Sequence, residues 1–195
     1  TERNDYGSTV LSIKNNKAFL IGDGYSEKGQ FPFVDKIDLN TQNKKRIYQS
    51  NYTDKVEDIR NFDAKNNELL VRIESPTAYP NYYFKNTSRK KLSQITYFEN
   101  PFKSIQDVHK EVIKYKRDDG LELSGTLYLP VGYDQNKKEK MPMILWAYPR
   151  EFKDPSSAAQ KTSNPNSFTS PYYGSPIYWV TKGYVILDRA SFPIL

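Results

Sequence analysis

Between residues 9 and 98 apolar side chains come in short bursts, each stopped by a polar turn. Val10-Leu11-Ser12-Ile13 runs into the turn Lys14-Asn15-Asn16-Lys17, and residues 18–21 form the next apolar burst. The Gly-rich loop at 22–29 leads to Phe31, Phe33, Ile37 and Leu39 on alternate positions, and Asn40-Thr41-Gln42-Asn43 turns the chain into 44–48. The scheme then repeats. Strand-like runs at 56–62, 68–73, 81–85 and 92–97 are separated by turn signals at 63–67 and 86–88. A strand every 8–12 residues or so, with a turn signal each time, predicts a meander, sandwich or propeller. The strands fall into two groups of about four, one propeller blade each. A closed propeller needs at least about four blades, so this half is expected to be the end of something larger.

From Asn100-Pro101-Phe102-Lys103 onward the pattern changes. A short polar link at 104–110 holds the only histidine, His109. Residues 111–116 and 121–129 predict a hairpin around Asp118-Asp119-Gly120, since Asp-Gly is a strong turn signal. Leu121, Leu123, Leu127 and Leu129 share one face of its second strand, with Gly125 between them. Residues 143–147 are apolar on both faces, which suits a central parallel strand. A long polar loop is expected over 150–170, and residues 176–182 are expected to be helical and stopped by Gly183. A second buried strand follows at 184–188. Hairpin, strand, helix, strand is the opening of an α/β sheet with a right-handed crossover.

Composition narrows the function classes. The chain has 195 residues, enough for one domain or two small ones. It has no cysteine and one histidine, which excludes disulfides, thiolate metal sites and His-rich metal ligation. No apolar run approaches the roughly 20 residues of a membrane span, so no membrane partner is expected. The net charge of +6 comes partly from three short basic turns at 44–46, 89–91 and 137–140. Scattered turns of this kind are solvated loop tips and no nucleic-acid face is expected. Sixteen tyrosines and ten phenylalanines are the more telling excess, suited to strands and binding surfaces.

Several stretches carry a resemblance. Asp118-Asp119-Gly120 with the run 123–130 (LSGTLYLP) resembles the first hairpin of the catalytic domain in the prolyl oligopeptidase family of serine peptidases. Residues 142–153 (PMILWAYPREFK), 20–29 (LIGDGYSEKG), 32–35 (PFVD), 72–75 (RIES) and 80–84 (PNYYF) are similar to its glutamyl endopeptidase-like branch. The likeness covers essentially the whole chain in order. It implies a mixed fold: about two terminal β-propeller blades over residues 1–103, then the start of an α/β-hydrolase domain over 104–195. In that family the propeller caps the hydrolase domain and restricts access to small or unfolded peptides. The triad comes in the chain order Ser, Asp, His, with the serine on a Gly-x-Ser-x-Gly elbow after the fifth strand. This chain contains no Gly-x-Ser-x-Gly, and its run of elements is truncated before that elbow.

The resemblance also assigns roles. Tyr148 follows a buried strand, where α/β folds place chemistry. A family tyrosine after this strand donates its hydroxyl to the oxyanion, a task suited to a phenol that is neutral at working pH. From the bare sequence, a strand-end tyrosine is more often structural. If the parent cleaves after acidic residues, Arg150 is the candidate to pair the substrate carboxylate; the commoner reading is a surface arginine or one paired with Glu151. His109 precedes the whole hydrolase sheet, whereas the fold supplies its base after the last strand, so it reads as a linker residue. Gly22-Asp23-Gly24-Tyr25 lacks the ligand spacing of an EF-hand and the lysine of a P-loop, and reads as a propeller loop. Ser191 has no nucleophile-elbow frame around it. The sequons at Asn51 and Asn86 are of a kind frequent by chance.

The expected function is therefore that of part of a serine peptidase, inactive alone, needing no cofactor. Its partners would be a peptide substrate and the remainder of the hydrolase domain, in the same or a complementary chain. Without the fifth strand, the strand carrying Tyr148 is expected to be an exposed edge. The resemblance favours a periplasmic or secreted bacterial setting. The rival is a non-catalytic β-rich module binding protein or carbohydrate.

Overall fold

The structure is a computed structural model that describes residues 1–26, 28–137, 139–151 and 164–194, with the backbone alone for 148–151. The chain divides into two compact units, Thr1–Ser75 with Tyr79–Phe98, and Pro76–Ala78 with Glu99–Leu195. All regular structure among the described residues is strand, apart from two short 3-10 helices.

The first unit holds β1 (Glu2–Arg3), β2 (Thr9–Val10), β3 (Lys17–Gly22), β4 (Tyr25–Ser26), β5 (Gly29–Gln30), β6 (Phe33–Asp38) and β7 (Lys44–Gln49). They are followed by β8 (Val56–Asp63), β9 (Glu68–Glu74), β10 (Asn81–Asn86) and β11 (Lys91–Gln94). Strands β3, β6 and β7 form one antiparallel sheet, and β8 to β11 form a four-stranded antiparallel meander. The turns follow from the residues that build them. Asn15 and Asn16 both take positive φ, 51° and 55°, the geometry a two-residue hairpin turn needs. Asp63 caps the β8–β9 turn by accepting from the backbone N–H of Lys65 at 2.8 Å, and Asn67 supplies the left-handed residue.

The expected strand at 10–13 is shorter than its apolar pattern suggests, because Thr9–Val10 pairs only with β1 and Leu11 and Ile13 stay exposed. In β6 the buried residues are Val34 and Asp35, one on each face, and not the Phe31-Phe33-Ile37-Leu39 series. The reason is ionic: Arg46 reaches across to Asp35 and lays its guanidinium 3.6 Å above the Phe33 ring, so a charged face is also covered. Val34, Ile59, Leu69 and Val71 form the core of this unit, with Phe19 and Phe62 packed against it and against each other, ring edge to face at 5.2 Å. Each such side chain contributes about 1.5–3 kcal/mol on burial.

The second unit contains β12 (Lys110–Lys116), β13 (Glu122–Tyr128), β14 (Met143–Glu151) and β15 (Val185–Ile194), in the sheet order β12-β13-β15-β14. The hairpin β12–β13 and the β13–β15 pair are antiparallel; β14 and β15 are parallel. Residues 176–182 form a 3-10 helix, capped by the Ser175 side chain and ended by Gly183 at φ 82°. Both faces of β13 are covered. Leu123 is buried on the leucine face, and Tyr128 on the other joins Ile105, Ile177, Val180 and Ile186 in the core. Ile105 lies in the stretch read as a polar link: a 3-10 turn at Lys103–Ile105 turns this one apolar residue into the core. At Gly125 any side chain would start 2.8 Å from Leu187 Cδ1, so a larger residue there would have to displace the Leu187 side chain.

β14 differs from its expected length. It does not stop at Tyr148 but pairs with β15 as far as Glu151 opposite Ile194. Among the described residues β14 has a ladder partner on one side only, which accommodates Pro149, and β13 leaves β15 after Asp188, which accommodates Pro193.

Candidate functional site

The site is built where β14 and β15 run side by side toward their carboxyl ends, the place where open α/β sheets set their chemistry. Up to Leu145 opposite Leu187 the ladder is regular; it resumes at Ala147 opposite Ala190. β15 therefore uses two residues, Asp188 and Arg189, where β14 uses Trp146 alone. Arg189 takes φ 50°, a left-handed conformation in a residue that is not glycine. Bulges of this type bend a strand and re-aim the side chains that follow. The residues that follow are Ala190 and Ser191 on β15, and Ala147 and Tyr148 opposite them.

Ser191 is held on two sides. Its hydroxyl oxygen accepts from the backbone N–H of Ser124 at 3.4 Å, and its backbone lies against the phenol of Tyr115, whose ionised form it favours. Burial pushes the Tyr115 phenol upward from its ordinary value. The Arg117 guanidinium extends from the β12–β13 turn to the carbonyl of Pro193 at 2.8 Å, while also clasping Asp119 at 2.6 Å. The Asp-Gly turn is thereby tied to the far end of β15.

Asp188 is the half-buried carboxylate of the bulge. Burial raises its carboxyl above the ordinary carboxylate value, and the nearby cations Arg189, 3.8 Å away, and Lys110 only partly oppose this. On the same face of the sheet, burial holds the Tyr128 phenol at about 12 while a hydrogen bond involving Thr169 opposes the rise. Lys110 donates to the carbonyl of Ser167 at 2.7 Å. A concavity of about 260 Å³ adjoins them, lined by Phe102, Ile105, Val108, Lys110, Phe168 and Thr169 among others. In the sequence Asp188-Arg189-Ala190-Ser191 ends a buried strand, at a loop that the resemblance sets beside the active site. The signal for the bulge was the Asp-Arg pair interrupting an otherwise apolar run.

Tyr148 and Arg150 have their backbones in β14, opposite Ser191 and Pro193; their side chains lie outside the described set. The two alternate with Pro149, so both occupy the same strand parity. Most of the polar loop expected over 150–170, residues 152–163, also lies outside the described residues. His109 immediately precedes β12, its carbonyl accepting from the Leu129 N–H at 3.1 Å and its Nε2 3.7 Å from Glu111 Oε1. Gly24 is fixed by its own loop: at φ 65° a side chain would start 1.9 Å from the Phe31 carbonyl oxygen, with which its loop closes through the Phe31 N–H to Gly24 C=O bond of 2.9 Å. In that loop Tyr25 has its phenol raised by burial, then by the charges of Asp23 and Asp58.

No family model matches the chain. Two curated plant proteins do. The chain is 36% identical over 192 residues to a probable chloroplastic glutamyl endopeptidase of Oryza sativa subsp. japonica, covering 93% of this chain and 20% of that protein. It is 36% identical over 203 residues to a protein of the same description from Arabidopsis thaliana, covering 100% of this chain and 20% of that one. The chain thus spans about a fifth of the length of the curated relatives it matches. Among solved structures it superposes on dipeptidyl peptidase 4 of Porphyromonas gingivalis with a TM-score of 0.57 at 14% identity, covering 94% of this chain and 25% of that one. It superposes on oligopeptidase B of Leishmania major, also at 0.57, with 8% identity and 95% and 24% coverage. At such identities the structural likeness speaks to the fold alone.

Proposed function

Because the chain belongs to the prolyl oligopeptidase family of peptidases, on its glutamyl endopeptidase-like branch, we propose that its parent protein hydrolyses peptide bonds by serine catalysis. The observation that carries this reading is the 36% identity that runs through both units to the plant glutamyl endopeptidases. In this reading residues 1–103 are the last two blades of a propeller and 104–195 the start of the hydrolase domain, with the nucleophile elbow beyond them. The order β12-β13-β15-β14, antiparallel and then parallel, supports the second assignment. The two larger antiparallel sheets of the first unit support the first.

The chemistry follows from what a peptide carbonyl needs. A serine from the remainder of the hydrolase domain attacks the carbonyl carbon, and a histidine takes its proton. Negative charge then collects on the former carbonyl oxygen. Tyr148 donates its phenolic hydrogen to that oxygen, a contact that strengthens as charge develops and therefore accelerates the step. The bulge at Asp188 and Arg189 sets the backbone register of Tyr148 on β14. Arg150, one strand period on, pairs the carboxylate of an acidic substrate side chain, which supplies the preference for cleavage after acidic residues.

β14 presents Met143, Leu145 and Trp146 about half exposed, with a ladder partner on one side only among the described residues. This supports pairing of its outer edge with the remainder of the hydrolase domain. The chain by itself holds no Gly-x-Ser-x-Gly and is expected to hydrolyse nothing. The test is hydrolysis of fluorogenic peptides with glutamate, lysine or leucine before the scissile bond, by the full-length protein and by this chain alone. Serine-inhibitor-sensitive cleavage after glutamate by the full-length protein alone is expected. Peptidase activity in the isolated chain would contradict the assignment of the nucleophile, and its absence from both would favour a binding module.

A further inference from the structure

The seam between the two larger sheets of the first unit contains a closed ring of polar groups that no step of the proposed chemistry uses. Glu57 on β8 is 2% exposed. Its Oε1 accepts from Lys85 Nζ of β10 at 2.7 Å, and its Oε2 accepts from the Tyr48 hydroxyl of β7 at 2.5 Å. Lys85 Nζ donates in addition to the Tyr48 oxygen at 2.5 Å. Three groups from three strands and both sheets thus satisfy one another. Lys85 also lies 4.9 Å from the Tyr48 ring centroid and 4.7 Å from that of Tyr52, whose ring Lys55 approaches at 4.9 Å. Tyr52 and Lys55 belong to the connection between the sheets, so the linker itself closes over the charged pair.

Energetically the ring is an unusual joint. A buried carboxylate and ammonium contribute little net stability when paired, because desolvation offsets their attraction, yet losing either one leaves an uncompensated buried charge. Around this ring the seam is otherwise apolar, with Val34, Ile59, Leu69 and Val71 at its centre. Such packing tolerates sliding better than a set of directed bonds does. The phenol of Tyr48 stays neutral, since burial and the Glu57 carboxylate push it far above its ordinary value, so it remains a donor to Glu57.

We propose that Tyr48, Glu57 and Lys85 form a latch that makes the two sheets open and close as one cooperative unit, with the Tyr52 linker as its cover. The latch acts on how the sheets separate more than on how stable each is. This inference is independent of the peptidase reading.

Amide hydrogen exchange resolved by strand, on the full chain, tests it. In the wild type, β6–β7 and β8–β10 should show opening free energies of similar size. Lys85→Met should raise exchange in β6 and β7 by at least about tenfold more than in β9, because the sheets then open separately. Tyr48→Phe keeps the ion pair, folds more readily, and should give the same sheet-selective loosening to a smaller extent. Equal acceleration in both sheets would mean general destabilisation and would overturn the latch. So would loosening confined to β10, or no change in either variant.

Discussion

In the parallel ladder of β14 and β15, Tyr148 stands opposite Ser191, one pair beyond the bulge formed by Asp188 and Arg189. The backbone register of Tyr148 is therefore set by two residues on the neighbouring strand. Four consequences concern how the surrounding structure holds that register.

The first concerns Arg189, held at φ 50°. A left-handed residue other than glycine costs about 1 kcal/mol or more. Arg189→Gly should leave thermal stability unchanged or raise it, whereas Arg189→Val should lower it by about 1–2 kcal/mol. Equal effects of the two in a thermal melt would show that the bulge is not what fixes this residue.

Gly125 offers a packing test. A valine there meets Leu187 Cδ1 at its first carbon, 2.8 Å away. Gly125→Val should cost about 1–3 kcal/mol by overpacking. Adding Leu187→Ala should return part of the loss, a coupling measurable in a double-mutant cycle by urea unfolding.

Asp119 carries an acid dependence. The Arg117 guanidinium, with help from the Leu121 N–H, holds its carboxyl down at about 2, below the ordinary 3.8. A depressed folded-state value means that the stabilisation is present above 3.8 and is lost as pH falls through about 2. The melting temperature of the wild type should fall across this window more than that of Asp119→Asn. Parallel curves would mean that the Arg117–Asp119 clasp does not support the turn.

Asp188 should behave in the opposite sense. Burial raises its carboxyl, so the folded state favours the protonated form. Stability from this group is full below the ordinary value of 3.8 and declines as pH rises through the folded-state value. Asp188→Asn should melt higher than the wild type at neutral pH, with the gap closing in acid. A lower melting point at neutral pH would place the weight of Asp188 on its contacts with Arg189 and Lys110.

Turn residues made much of this fold readable in advance. Asn15-Asn16, Asp63 with Asn67, Asp118-Asp119-Gly120 and Gly183 stand where local chemistry predicts reversals or stops, because their backbone preferences act within a few residues. Facing was harder to read. Alternation in β6 pointed to Phe31, Phe33, Ile37 and Leu39, yet Asp35 is 1% exposed because Arg46 comes from the adjacent strand to meet it. Glu57 and Tyr128 escaped notice for the same reason: their partners lie 28 residues away at Lys85, or across a core assembled from four segments. At the candidate site Tyr148 was singled out from its place after an apolar run and from resemblance, and the structure adds its backbone register opposite Ser191. The bulge beside it was not, since it depends on the pairing of two strands about forty residues apart in sequence.

The central claim rests on the Tyr148 hydroxyl, and steady-state kinetics of Tyr148→Phe in the full-length protein test it most directly. Removing one oxyanion donor should lower kcat on a glutamyl peptide substrate about 10²–10³-fold while KM changes little. An unchanged kcat, or a loss expressed only in KM, would contradict the assignment.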